Sequence, residues 1–261
     1  MSHDTSGGSR QGTSHGSTGC ALYPAIDLRG GKVVRLTKGD YDDETVYGDD
    51  PIAVATSFAD AGAPWVHVVD LDAARSGDPV NRSVVAAVAA ALDGRARLQT
   101  GGGVRSVADV EALAAVGVSR VVMGSAAVAD PGLVAAAGAI LPVAVGLDHR
   151  DGELAVHGWT EGSGVQLTDA LHRFPSAAAF VITDISRDGM LTGPDVDGLA
   201  AAVAATDIPV VASGGVATLD DVVALASIPG LAGVITGKAI YEGRFTVEQA
   251  VMALDRAAAD R

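Results

Sequence analysis

From Leu22 onward, short apolar runs alternate with longer Ala-rich stretches in which apolar residues recur at helical spacing. The runs at 22–27, 65–71, 97–100, 120–123, 143–148, 180–184, 209–213 and 233–236 are short and mostly rich in Val, Ile and Leu, which reads as buried strands. Stretches such as 107–116 and 219–226 read as helices. Strands alternating with helices at this rhythm predict an α/β protein with a parallel sheet, and eight such units close into a single (β/α)8 TIM barrel. Residues 1–20 break the pattern, because Ser, Gly, Thr and His dominate and almost nothing is apolar. Such a segment buries too little surface to offset its ordering entropy. The expected organisation is therefore a disordered tail over 1–20, with His3 and His15 solvated, followed by one barrel over 21–261.

An internal repeat strengthens the barrel over its rival, an open doubly wound sheet. Thr100-Gly-Gly-Gly-Val-Arg-Ser-Val-Ala-Asp-Val-Glu-Ala-Leu recurs as Ser213-Gly-Gly-Val-Ala-Thr-Leu-Asp-Asp-Val-Val-Ala-Leu, with Gly102 matching Gly214 and Asp109 matching Asp221. Further on, Gly124-Ser-Ala recurs as Gly237-Lys-Ala, and Asp27-Leu-Arg-Gly-Gly-Lys is echoed by Asp148-His-Arg-Asp-Gly-Glu. Two repeated half-barrels of four βα units each account for this, whereas an open sheet has no reason to repeat in this way.

Composition narrows the partners. A formal charge of −14 over 261 residues argues against a nucleic-acid partner, whose backbone demands clustered cations. No apolar run approaches the length of a membrane span, and the first residues lack the apolar core of a secretory signal. A single cysteine, Cys20, permits no intrachain disulfide, in keeping with a reducing compartment. The expectation is a cytoplasmic monomer with no nucleic-acid or membrane partner. A small phosphorylated ligand stays open, because backbone amides bind phosphate locally.

In a barrel, residues at the C-terminal ends of the strands face the active site. Those ends carry Asp27, Asp70, Asp72, Asp148 and Asp184, together with the Gly pairs Gly102-Gly103 and Gly214-Gly215 and the turns Gly124-Ser125 and Gly237-Lys238. Glycine at a strand-to-helix turn lets amides approach a phosphate at a helix N-terminus, although glycine is also the default turn residue. Its recurrence in both halves implies two phosphate sites on opposite sides of the mouth. Asp27 and Asp148 are equivalent under the repeat, so they face one ligand from opposite walls and can divide the base and acid roles. Asp188 follows strand six and offers a third carboxylate. Taken singly, each of these also reads as an ion-pair partner or helix cap. No compact carboxylate or His cluster suggests a metal, and no nucleotide-binding loop or nucleophile elbow is present. His67, within Trp-Val-His-Val-Val, reads as a hydrogen-bonded core histidine. Trp159 falls in the long connection after strand five, where it either stacks on a ligand ring or packs in its loop.

Several segments together carry a resemblance. Tyr23-Pro-Ala-Ile-Asp-Leu-Arg-Gly-Gly-Lys-Val-Val-Arg-Leu, Gly39-Asp-Tyr, Val68-Val-Asp-Leu-Asp-Ala-Ala, Gly101-Gly-Gly-Val-Arg-Ser, Thr183-Asp-Ile-Ser-Arg-Asp-Gly-Met-Leu and Ser213-Gly-Gly-Val resemble the phosphoribosylformimino-AICAR ribotide (ProFAR) isomerase family of histidine biosynthesis, in register over about 21–255. The resemblance implies an aldose–ketose isomerase running an Amadori rearrangement, with no cofactor and with a substrate bearing a phosphate at each end. It implies Asp27 as the base, Asp148 or its rival Asp188 as the acid, and substrate contacts from Arg35 and Trp159. Members that also isomerise phosphoribosylanthranilate carry Arg-Gly-Trp after strand five, where this chain has His157-Gly-Trp; the departure favours the single-substrate enzyme over the dual one. Met190 stands where many members have Thr, which removes any hydroxyl role there. The related cyclase subunit that docks a glutaminase would show Cys-Leu-Asp on strand one, against Ala25-Ile26-Asp27 here. A non-catalytic phosphosugar-binding barrel has no need of opposed carboxylates.

Overall fold

The computed structural model describes residues 19–37, 39–156 and 161–260. Its elements are β1 (Ala21–Arg29), β2 (Lys32–Thr37), β3 (Asp40–Gly48), α1 (Pro51–Asp60), β4 (Trp65–Asp70), α2 (Leu71–Ser76), α3 (Arg82–Leu92), β5 (Arg97–Gly101), α4 (Val107–Ala114), β6 (Arg120–Met123), α5 (Ser125–Ala129), α6 (Gly132–Gly138), β7 (Val143–Arg150), β8 (Glu153–Val156), β9 (Glu161–Gln166), α7 (Leu167–Leu171), β10 (Ala179–Asp184), α8 (Val196–Ala204), β11 (Val210–Ser213), α9 (Leu219–Ala226), β12 (Leu231–Thr236), α10 (Lys238–Tyr241) and α11 (Val247–Ala259). Residues 1–18 of the expected tail lie outside the described residues, as do His157 and Trp159.

Eight parallel strands follow one another around the ring as β1, β4, β5, β6, β7, β10, β11 and β12, and β12 pairs back onto β1. The expected closed (β/α)8 barrel is therefore what the chain forms. Alternation within each strand divides the apolar residues between two cores. One set, including Leu22, Ile26, Val66, Leu98 and Phe180, faces the surrounding helices. The other fills the barrel interior with Tyr23, Ala25, Trp65, Ala144, Val181, Val211 and Ile235.

The lower interior also holds a buried cation. Arg120 donates from Nε to Gln99 Oε1 at 2.6 Å and from Nη2 to the Tyr23 hydroxyl at 2.9 Å, and its guanidinium lies 4.4 Å from the Trp65 ring centroid. A buried charge is tolerated only when its hydrogen bonds and field are satisfied, and these contacts supply both.

Two hairpins were not expected. The predicted first and fifth strands end at Asp27 and Asp148, but β1 continues to Arg29 and β7 to Arg150, each turning back antiparallel into β2 or β8. The turns match: Gly30 and Gly31 have φ of 55° and 78°, and Asp151 and Gly152 have 51° and 82°. Positive φ at both central residues defines the type I′ turn that suits a two-residue hairpin. The hairpins escaped prediction because their return strands are short and show no clean alternation: β2 buries the adjacent Val33 and Val34, and β8 buries Leu154. β3, Asp-Tyr-Asp-Asp-Glu-Thr-Val-Tyr-Gly, is mostly exposed and shows no alternation to read.

Candidate active site

The C-terminal face of the barrel opens into a cavity of about 910 Å³. Asp27, Arg35, Asp148, Asp188, Lys238 and all the glycines singled out from the repeat line it. The described part of the predicted site thus converges on one space. Trp159 lies outside the described residues, so its expected place remains a matter of sequence.

Asp27 points into the barrel from β1, one residue past the segment that pairs with the middle of β4. Arg35, on β2, donates from Nη1 to Asp27 Oδ2 at 2.9 Å, and its Nη2 lies 3.7 Å from Asp188 Oδ1. Burial pushes the Asp27 carboxyl above its usual range; Arg35 opposes the shift, and the neighbouring Asp188 charge adds to it. Burial also works against the charge on Arg35, but the two carboxylates outweigh it and hold the guanidinium cationic. The Nε–H of Arg35 is buried with no partner among the described residues, so the site retains one unmet donor. Asp148 lines the cavity from β7, four strands around the ring from β1 and hence on the opposite wall.

Behind Arg35, Tyr241 donates to the Ala25 carbonyl at 3.0 Å and stacks on Tyr47 with centroids 4.8 Å apart. A side chain at Gly237 would place its Cβ 2.9 Å from Arg35 Nη1, so the glycine makes room for the guanidinium. Tyr47 and Tyr241 went unnoticed in the sequence because aromatic residues at these positions read as ordinary packing. Arg75 and Arg105 also line the mouth and were passed over, although Arg105 lies inside the repeated glycine motif. Arg105 Nη2 donates to the Ala74 carbonyl at 2.8 Å, and the Arg75 guanidinium sits 4.9 Å from the Tyr41 ring centroid.

The glycine turns have a packing reason of their own. Gly102 and Gly214 adopt φ of 88° and 92°. A Cβ on Gly102 would collide with the Asp70 backbone, and one on Gly214 would lie 2.9 Å from the Asp184 carbonyl oxygen. Asp70 and Asp184 are themselves structural. Asp70 accepts from the Ala73 amide and from Asn81, and Asp184 accepts from the Ser186 amide and from Arg187. Downstream, α4 and α9 are closed by matching capping boxes, Ser106 with Asp109 and Thr218 with Asp221. The short helices α5 and α10 begin at Gly124 and Gly237 with no side-chain cap. Their first amides are the ones left to an external acceptor. Lys238, expected at a phosphate, lines the cavity and donates to the Gly189 carbonyl at 2.9 Å.

Among the described residues, no three or more His, Cys, Asp or Glu side chains come together as metal ligands. No helix among them is long and apolar enough to cross a membrane.

A (β/α)8 barrel with a carboxylate–guanidinium site at its C-terminal mouth belongs to the class in which strand ends carry the chemistry. The chain matches the histidine biosynthesis protein family over residues 21–246, and it belongs to that family. It is 48% identical over 238 residues to a protein of Rhizorhabdus wittichii, covering 88% of this chain and 96% of that one. A Sphingopyxis alaskensis protein is likewise 48% identical, covering 89% of this chain and 97% of its own. A Paracoccus denitrificans protein is 45% identical over 237 residues, covering 89% and 99%. All three are named 1-(5-phosphoribosyl)-5-((5-phosphoribosylamino)methylideneamino) imidazole-4-carboxamide isomerase, the substrate abbreviated above as ProFAR.

Proposed function

We propose that this chain is the ProFAR isomerase of histidine biosynthesis, an aldose–ketose isomerase working through an Amadori rearrangement. The observation that carries the reading is Asp27, half-buried at the cavity wall and held by Arg35. Isomerisation needs a base strong enough to take a carbon-bound proton yet ionised near neutrality. Burial raises the basicity of Asp27 while the guanidinium keeps the ionised form accessible.

Asp148, on the facing wall, protonates the ribose ring oxygen. The C1–O bond breaks with its electron pair going to that oxygen, and the nitrogen lone pair forms the C1=N iminium. Asp27 then removes the C2 proton, and the released pair forms C1=C2 while the iminium π electrons return to nitrogen. The enolamine gains a proton at C1 and loses one from the C2 hydroxyl, giving the aminoketose. Asp188, beside Arg35, raises the basicity of Asp27 through its own charge.

Two phosphates anchor the substrate across the mouth. The uncapped starts of α5 and α10 supply amides, and Arg105 in one half and Lys238 in the other supply positive charge. The experiment is a turnover assay with ProFAR as substrate, and absence of turnover by folded protein overturns the reading. Phosphoribosylanthranilate, with one phosphate and a carboxylate that His157 cannot grip as a guanidinium does, should give a kcat/KM at least about a hundredfold lower, a gap of roughly 2.7 kcal/mol. Comparable values for the two substrates would make this the dual-pathway enzyme.

A further inference from the structure

His67 is buried in the barrel interior yet lines the cavity that holds Asp27. It lies on β4 opposite Ala25, two residues below Asp27 in the register of the adjoining strand. Its Nδ1 is 2.8 Å from Gln99 Nε2, and Gln99 Oε1 accepts from Arg120 Nε at 2.6 Å. This chain of contacts has one consistent direction. A guanidinium only donates, so the Gln99 oxygen must face Arg120 and its amide NH2 must face the histidine. Nδ1 of His67 is then an acceptor, and the proton of the neutral ring sits on Nε2. Burial, with the Arg120 and Arg35 charges adding to it, lowers the ring's pKa to about 3, so it is uncharged at neutral pH. Nε2 has no partner among the described residues, and it is absent from the buried atoms left without one, which places it where the cavity reaches it.

We propose that His67 is a substrate-contacting residue whose Nε2–H donates a hydrogen bond to the C2 oxygen of the open-chain sugar, and that Gln99 and Arg120 are positioning residues that fix the tautomer able to do so. The proposal rests on the isomerase reading above. A neutral donor polarises the C2 oxygen as it becomes a carbonyl and stays protonated throughout, so it needs no separate proton return. The buried Arg120 at the bottom of the barrel thereby acquires a role at the mouth: it orients Gln99, and Gln99 orients the ring.

Two substitutions separate this from a packing role. His67→Asn keeps an acceptor near Nδ1 for Gln99 and removes the Nε2–H; His67→Gln keeps a donor near Nε2 and gives up the Nδ1 acceptor. The expected result is that His67→Asn melts closer to the parent protein yet loses kcat by about ten- to a hundredfold, while His67→Gln melts lower and keeps more of kcat. If activity instead follows stability, with Asn the more active, the histidine only packs and the proposal falls. Nitrogen-15 spectra of the histidine-labelled parent protein should show Nε2 protonated and Nδ1 unprotonated from about pH 5 to about pH 8, without a titration step. A protonated Nδ1 in that range overturns the proposal even if the variants cannot be purified. Parent protein that fails to turn over ProFAR defeats the isomerase reading, and this proposal with it; turnover with the opposite ranking or tautomer defeats this proposal alone.

Discussion

The two half-barrels share a scaffold and differ in charge. Asp70 and Asp184 cap the loops after the second and sixth barrel strands, Gly102 and Gly214 pack on those strand ends, and matching capping boxes close α4 and α9. The two I′ hairpins also correspond: Arg29 pairs with Lys32 across one turn and Arg150 with Glu153 across the other. Counting three residues on from Lys32 reaches Arg35, while three on from Glu153 reaches Val156. The guanidinium beside Asp27 therefore has no charged counterpart at the equivalent position near Asp148. The mouth's cations are exchanged as well. Arg105 in the first half corresponds to Ala217 in the second, and Ser125 corresponds to Lys238. Both cations tie back to earlier segments, Arg105 to the Ala74 carbonyl in α2 and Lys238 to the Gly189 carbonyl in the loop after β10. A duplicated frame thus carries unequal charges, and under the proposed mechanism that inequality is what would let one aspartate act as base and its counterpart as acid.

The sharpest way to break this comparison is to neutralise each carboxylate in turn. Asp27→Asn should lower kcat by about two to four orders of magnitude with substrate binding largely retained, and Asp148→Asn should fall in the same range. Asp188→Asn should lose less. Activity of Asp27→Asn within about tenfold of the parent would remove the base assignment, and a larger loss from Asp188→Asn than from Asp148→Asn would transfer the acid role to Asp188.

The shared scaffold predicts smaller, parallel effects on stability. Gly102→Ala and Gly214→Ala should each destabilise by about 1–3 kcal/mol, since both force an L side chain into a positive-φ site against strand-end backbone. Gly94→Ala, with φ of 69° but open space around it, should cost less. Thermal melts of the three variants check this, and equal losses would mean that backbone strain alone, without the close approach, sets the penalty.

The smallest effect concerns the pH profile. As the proposed base, Asp27 must be ionised to accept a proton, so kcat/KM should fall as pH drops through its pKa. Burial holds that pKa up first, and the Asp188 charge raises it further. Asp188→Asn should therefore move the acid limb to lower pH, while Arg35→Met should move it to higher pH by removing the opposing cation. Limbs that stay in place in both variants would mean that another group controls them.

Much of this molecule is written along the chain. The alternation of apolar runs and helical stretches determines eight βα units, because parallel strands buried on both faces must be apolar throughout. The repeat determines the half-barrel symmetry, and strand ends then nominate Asp27, Asp148 and the glycine turns. The hairpins left a weaker trace: β2 buries the consecutive Val33 and Val34 and so shows no alternation, and β3 is polar and mostly exposed. Arg35 could be named from a resemblance, but its contact with Asp27 and Asp188 depends on how β2 folds back over β1 and on where the loop after β10 falls. The same holds for His67. Sequence placed it in the core, and it is in the core. Only the tertiary structure sets Gln99 and Arg120 in line behind it, because hydrogen-bond direction is fixed by partners from three different strands that no local pattern brings together.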